Sequence, residues 1–471
     1  MRRNAVVLFA LFLALQLTGL AQGTAGAAPG AVEYYPLEDV RTGQKGVART
    51  VFAGSEPEEF QLEVLGVLPG FPAPRKSVII AKLSGAQVER TSVFAGMSGS
   101  PVYIDGRLVG AIAYAFPFSK EPIAGITPIR QMIEMFEQGR QSSEGRDKLG
   151  FLREPRAVSY SQLSGVDWKS QLPQGQQGGV SFVAPVASGS PLAALLGQQF
   201  APIATPLVFN GFSPQAVSQF TPQLQSQGLL PVSGVGGAAP ITPLGKVTEQ
   251  TLAPGTSISV ELIRGDYSVA ASGTVTHRDG DRIYAFGHPF LSLGSADMPM
   301  SESAVVTVIP NTLNSFKLTV PGQMVGAISQ DRSTGIYGRL GRAPKMVPVT
   351  INLHTSRDHV ETFRYEVAND EFLTPLLLNM TVYSTLTSSE RSLGESTVSV
   401  RGKIEVKGQE PILLERRFSA QSAGISAAGS VAGPVQALLS SGFEGVELGP
   451  ITLDIAAADS RRVASLDRVA L

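Results

Sequence analysis

The stretch Ala95-Gly96-Met97-Ser98-Gly99-Ser100-Pro101-Val102 sets a serine between two glycines, with a proline three positions on. Glycines admit backbone angles that other residues avoid, so a chain built this way turns sharply and frees N–H groups. A serine nucleophile requires that setting: an exposed hydroxyl beside donors that can hold an oxyanion. The same stretch also fits a plain Gly/Ser loop between two strands. A serine hydroxyl needs a base, and histidine is the usual one at neutral pH. The chain has 4 histidines, His277, His288, His354 and His359. His288 follows Gly287 at the end of the apolar run Ile283-Tyr284-Ala285-Phe286, where a side chain can reach a cleft, or simply cap a strand end. The other three lie in polar surroundings and are expected to face solvent. None shows zinc-ligand spacing, and cysteine is absent, so no metal or other cofactor is expected, and no thiolate or disulfide is possible.

The elements around these residues read as β. Phe60, Leu62 and Val64 alternate with Glu59, Gln61 and Glu63, and Ser77 to Leu83 forms another strand. Asp105-Gly106 is a two-residue hairpin signal just after the serine segment. Thr127-Pro128 opens a helix, with Thr127 as its N-cap, and Gly139 can end it. Ser213-Pro214 starts a second helix, bent or shortened by Pro222. Ser257, Ser259 and Glu261 alternate with Ile258, Val260 and Leu262, and Asp279-Gly280 marks a hairpin. Residues 329–335 read as a polar turn. Strands follow at Val347–Leu353, Val398–Val406 and Ile451–Ile455, with helices at Asn369–Tyr383, broken at Pro375, and Pro434–Leu439.

Gly96-Met97-Ser98-Gly99-Ser100-Pro101 with Asp105-Gly106-Arg107-Leu108-Val109-Gly110-Ala111 closely resembles the serine segment of the SpoIVB (stage IV sporulation protein B) peptidase family, which is chymotrypsin-like. The run Lys45 to Gly54 and Glu59 to Val64 is similar to that family's approach to its serine. Gly273-Thr274-Val275-Thr276 and Tyr284-Ala285-Phe286-Gly287-His288 resemble its histidine segment. The resemblance covers roughly residues 40–137 and 255–345. It implies Ser98 as nucleophile, His288 as general base, and backbone N–H groups of Gly96 and Ser98 as oxyanion hole. Two departures stand out. The serine here precedes the histidine, and Leu83 stands where the family carries its acid. Asp331, in the expected turn of the same half, is the candidate orienting acid or a plain turn residue; Asp297 is the reserve. The family's PDZ module has no visible signature.

The fold class expected is mainly β with a few helices: two chymotrypsin-like β half-barrels plus an accessory C-terminal α+β domain. The boundaries are a signal peptide at 1–27, a serine-bearing half-barrel with its C-terminal helix at 28–140, a Gln/Gly/Pro-rich linker and small intermediate region at 141–245, a histidine-bearing half-barrel at 246–345, and the accessory domain at 346–471. Arg2-Arg3, the apolar run Ala5 to Leu17 and Ala25-Gly26-Ala27 make the signal peptide. That run is short for a membrane span. The expectation is an exported protein, periplasmic or secreted, with no stable membrane span after cleavage. A formal net charge of −1 gives no reason to expect a nucleic-acid partner. The partner implied is a protein or peptide substrate, cut in limited, regulatory proteolysis. The alternative is a catalytically inactive relative that serves as an envelope scaffold binding proteins or peptides.

Overall fold

The computed structural model describes residues 34–117, 119–146, 200–234, 241–355, 359–389, 396–443, 446–458, 460 and 462. The expected signal peptide and the expected loop at Gln174–Gly179 lie outside them. The chain is mostly β. In the first part, β1 (Lys45–Thr50), β2 (Glu58–Pro69), β3 (Ser77–Ser84), β4 (Pro101–Ile104), β5 (Arg107–Ala115) and β6 (Ile123–Pro128) pair in the order β4-β1-β2-β3-β6-β5. β5 then pairs back onto β4, so the ring closes as an antiparallel barrel. The β2 alternation is the reason it has an inside: Phe60, Leu62 and Val64 are buried, while Glu59, Gln61 and Glu63 are exposed. With Phe52, Phe94, Met97 and Ile112 they form the first core. Asp105 and Gly106 both take positive φ (49° and 74°), the angles a two-residue turn needs to match strand twist.

β7 (Ala201–Pro202) adds to β5, and β8 (Thr205–Asn210) and β9 (Leu229–Ser233) run parallel around the helix Pro214–Gln225, whose N-cap is the Ser213 hydroxyl. A second barrel follows, from β10 (Ser257–Gly265), β11 (Ser268–Asp279), β12 (Arg282–Ala285), β13 (Gly294–Ile309), β14 (Phe316–Arg332) and β15 (Gly335–Leu340). These pair in the order β10-β13-β14-β15-β12-β11, and β11 closes onto β10. β16 (Met346–His354), β17 (Val360–Ala368), β18 (Ser396–Val406), β19 (Ile412–Ala420) and β20 (Leu448–Ala458) continue the same sheet through the β17–β10 pairing. Helices Leu373–Ser389 and Ala423–Leu439 pack against it, and one core runs from Leu207 to Ala457. The C-terminal strands thus share a sheet and a core with the second barrel. Pro375 does not break its helix, because it lies in the first turn, where its missing N–H costs nothing.

Three local expectations are corrected. Thr127 and Pro128 end β6, and the helix begins at Ile129 and passes through Gly139 to Arg146. The Thr127 hydroxyl caps nothing; it donates to Gly287 O at 2.7 Å in the second barrel. β10 is buried on both faces, polar residues included: Leu262 lines a cavity with Leu373, Leu376 and Met380 of the helix Leu373–Ser389, while Glu261 on the other face accepts from the Ser301 hydroxyl and pairs with Arg264. The turn expected at 329–335 shrinks to Ser333-Thr334, since β14 runs on to Arg332. Asp331 is therefore a strand residue, paired with Gly294 and Ile336.

The β13–β14 hairpin is long enough to leave its own barrel. Val308 joins the first core, Val305 bridges Gly54, and Phe316 bridges Ala95. In return, Phe136 of the helix after β6 stacks on Tyr337 at 5.5 Å and against Tyr284 at 5.8 Å. The serine segment lies where the two barrels meet.

Candidate active site

Gly96 and Gly99 both take positive φ, 91° and 97°, and bracket Ser98. The Met97 carbonyl accepts from both the N–H (3.1 Å) and the hydroxyl (2.6 Å) of Ser100, which fixes a tight turn. The Ala95 carbonyl accepts from Lys317 N–H at 2.9 Å. A trans peptide points its C=O and N–H in opposite directions. Anchoring the carbonyls of Ala95 and Met97 therefore turns the N–H groups of Gly96 and Ser98 away from those anchors. Among the described residues neither N–H finds an acceptor.

Strand β11 runs along the turn. Thr274 N–H donates to Ser98 O (2.8 Å), the Thr274 hydroxyl to Gly96 O (3.0 Å) and the Thr276 hydroxyl to Gly99 O (2.8 Å). A Cβ on Gly99 would lie 1.9 Å from Thr274 O and 2.6 Å from Phe286 N, so only glycine fits there. On the other side, Gly99 N–H donates to Ile112 O at 2.7 Å. Ile112 lies in the same short stretch of β5 that Gly287 packs on: a Cβ at Gly287 would meet Ala111 and Ala113 at 2.9 and 3.0 Å. Ala111–Ala113 thus touches both the serine turn and the His288 segment.

Phe286 and Gly287 take positive φ (70° and 73°), which ends β12 and starts the loop carrying His288. His288 Nδ1 lies 2.8 Å from Pro289 O. A carbonyl only accepts, so Nδ1 carries the proton and Nε2 keeps its lone pair. Burial pulls the imidazole pKa down to about 4, which leaves the ring neutral at physiological pH. Ser98 is 0% exposed and His288 2%. Both Ser98 Oγ and His288 Nε2 are buried without a hydrogen-bond partner, so they do not bond to each other here.

Asp331 does not reach the imidazole. Its carboxylate accepts from the N–H groups of Phe290 (2.8 Å), Leu291 (2.7 Å) and Leu293 (3.2 Å). Burial raises its pKa to about 6, against the lowering effect of those donors. It shapes the loop after His288, while Pro289 O takes the place expected of an orienting acid. Asp297 pairs with Arg342 at 2.8 Å and accepts from Lys345 N–H, at the surface. His277, expected in solvent, is 4% exposed and stacks on Tyr284. Among the described residues no three His, Asp or Glu side chains gather in a way that could hold a metal.

Sequence reading gave no role to Thr50, Thr274, Thr276 or Lys317. Lys317 is fully buried, and its Nζ lies 2.9 Å from Thr50 Oγ1 and 3.1 Å from Thr274 Oγ1. In Phe316-Lys317-Leu318-Thr319 the alternation reads as a strand with a wet polar face. The signal was the pattern; that the polar face lies between barrels is not a local property.

Residues 28–133 match the model of the SpoIVB peptidase S55 family. The match takes in the whole first barrel and the serine turn, and points to a peptidase, a hydrolase of peptide bonds. It ends before β11, so the His288 block is not part of it. No curated protein and no solved structure matches the chain.

Proposed function

We propose that the protein is an exported serine endopeptidase that cuts protein substrates through an acyl-enzyme at Ser98. The observation that carries this reading is the pair of buried, unpartnered atoms, Ser98 Oγ and His288 Nε2, at the barrel junction. Each such group costs about 1–3 kcal/mol of stability. In the reaction, Ser98 Oγ attacks the scissile carbonyl carbon while His288 Nε2 takes its proton. The N–H groups of Gly96 and Ser98 receive the oxyanion. The C–N bond then breaks, the imidazolium gives its proton to the leaving amine, and water releases the acyl group by the same steps. Pro289 O holds the imidazole in the tautomer this needs. Because both side chains are covered, substrate entry requires the barrels to part at this junction. That requirement fits limited, regulatory cleavage better than bulk digestion.

The covered, unbonded state of both groups also favours a second reading, an inactive envelope scaffold that binds proteins or peptides. A fluorophosphonate probe separates the two, because it reacts only with a serine that has a base and a held oxyanion. The expected result is one label per chain, absent in Ser98→Ala and slowed at least about 1000-fold in His288→Ala. Folded wild-type protein that stays unlabelled across neutral pH gives the scaffold reading instead. Export rests on the Arg2-Arg3, apolar and Ala25-Gly26-Ala27 pattern. A mature N-terminus near Ala28 is expected from sequencing the exported form, and one still at Met1 refutes it.

A further inference from the structure

Lys317 is a fully buried amine. Among the described residues no carboxylate lies within ion-pair distance of it, and desolvation pulls its pKa down to about 7. The groups facing its Nζ are the hydroxyls of Thr50 at the end of β1 and Thr274 in β11; neither strand nor the serine turn presents a titratable group to it. An apolar residue of the same length would pack there at lower cost. The residue nevertheless meets the serine turn in three ways. Its backbone N–H holds Ala95 O. Its Cβ, Cγ and Cδ form the wall against Gly96, at 3.1–3.2 Å from where a Cβ would stand. Its Nζ holds the Thr274 hydroxyl, which in turn donates to Gly96 O.

We propose that Lys317 is a positioning residue for the oxyanion turn, its amine acting through Thr274 to fix the Gly96 peptides so that the Gly96 and Ser98 N–H groups stay aimed at the reacting carbonyl oxygen. This rests on the peptidase reading. The amine touches no reacting atom; it fixes the groups that do. An interaction of this kind acts in the transition state and hardly at all on the bound ground state. Removing it therefore slows acylation without weakening capture of the probe.

The test is fluorophosphonate labelling of the full chain as wild type, Lys317→Met, Thr274→Val and the double variant, with thermal melts of each. Lys317→Met keeps the stem and deletes the amine. The expected result is complete labelling with the maximal inactivation rate lowered about 10- to 100-fold, an unchanged half-saturating probe concentration, and a Tm equal to or above wild type. Thr274→Val, at the other end of the same link, is expected to slow labelling similarly, and the double variant no further than the slower single variant. A purely structural lysine would instead lower the Tm or the labelled fraction and leave the rate of the labelled fraction unchanged; that outcome overturns the assignment. So does Lys317→Met labelling at the wild-type rate, and so do additive effects in the double variant. If Lys317→Met fails to fold, Thr274→Val labelling at the wild-type rate overturns it as well. Wild-type protein that takes no probe removes the peptidase reading and this assignment together.

Discussion

The serine turn and the histidine loop are held by different means. The turn around Ser98 belongs to the first barrel, yet most of its polar anchors come from the second: Thr274, Thr276 and Lys317 hold its carbonyls, and Ser315 O accepts Ala95 N–H. The loop after His288 is held mainly within its own barrel, by one carboxylate gathering three N–H groups and by the carbonyl of the neighbouring proline. One site depends on barrel docking, the other on one buried charge. Disturbing the docking should therefore harm Ser98 first, and disturbing the charge should harm His288 first.

The largest effect is expected at the docking surface. Gly99→Ala puts a methyl group 1.9 Å from Thr274 O at a positive φ. A loss of about 3 kcal/mol or more is expected in urea unfolding, together with loss of Ser98 labelling. An alanine variant with wild-type stability would mean that the turn and β11 separate at little cost, and the contrast drawn above would fail.

A medium effect should appear in the pH dependence, where the two residues of the histidine loop pull in opposite directions. Asp331 has a folded pKa near 6, above its ordinary 3.8, so the native state binds the extra proton between about pH 4 and 6. Its contribution to stability is present at low pH and is lost as pH rises through 6. His288 has a folded pKa near 4, below its ordinary 6.5, so the unfolded state binds the extra proton between about pH 4 and 6.5. Its contribution is lost as pH falls through that window. Relative to wild type, Asp331→Asn should gain stability with rising pH across 4–6, and His288→Asn should lose it. Unfolding midpoints at several pH values check both signs; two variants with the same sign would refute the burial of one group.

The smallest effect sharpens the contrast between the two candidate acids. Asp297→Ala removes a surface pair with Arg342 and should cost at most about 1 kcal/mol, with labelling unchanged. A large loss of labelling there would move the orienting acid away from the histidine loop.

What the residues revealed in advance was whatever depended on near neighbours. Phe60, Leu62 and Val64 reported a one-sided strand, Asp105-Gly106 a tight hairpin, and the glycines around Ser98 a turn with free donors. Each follows from backbone angles or side-chain period within a few residues. Where distant chain decided the outcome, local reading failed. Thr127 looked like a helix cap because Pro128 followed it, yet its hydroxyl is used by Gly287. Asp331 looked like a turn residue because Ser333-Thr334-Gly335 is near, yet pairing with Gly294 draws it into a strand. Lys317 was invisible because no strand pattern tells a face against water from a face against another barrel.

The bonds that cross from β11 and β14 to the serine turn also impose an order in time. As the chain is made, the Gly96–Pro101 segment is complete long before Thr274, Thr276 and Lys317 have been added. Until they arrive, the carbonyls of Gly96, Ser98 and Gly99 lack their partners from β11, and Ala95 O lacks Lys317 N–H. The same holds for a fragment spanning residues 28–133: it keeps every residue of the serine motif and lacks the β11 and β14 groups that hold the motif's carbonyls. A nascent or truncated chain therefore carries the serine in an unfinished form, and the junction is completed only when synthesis has passed β14.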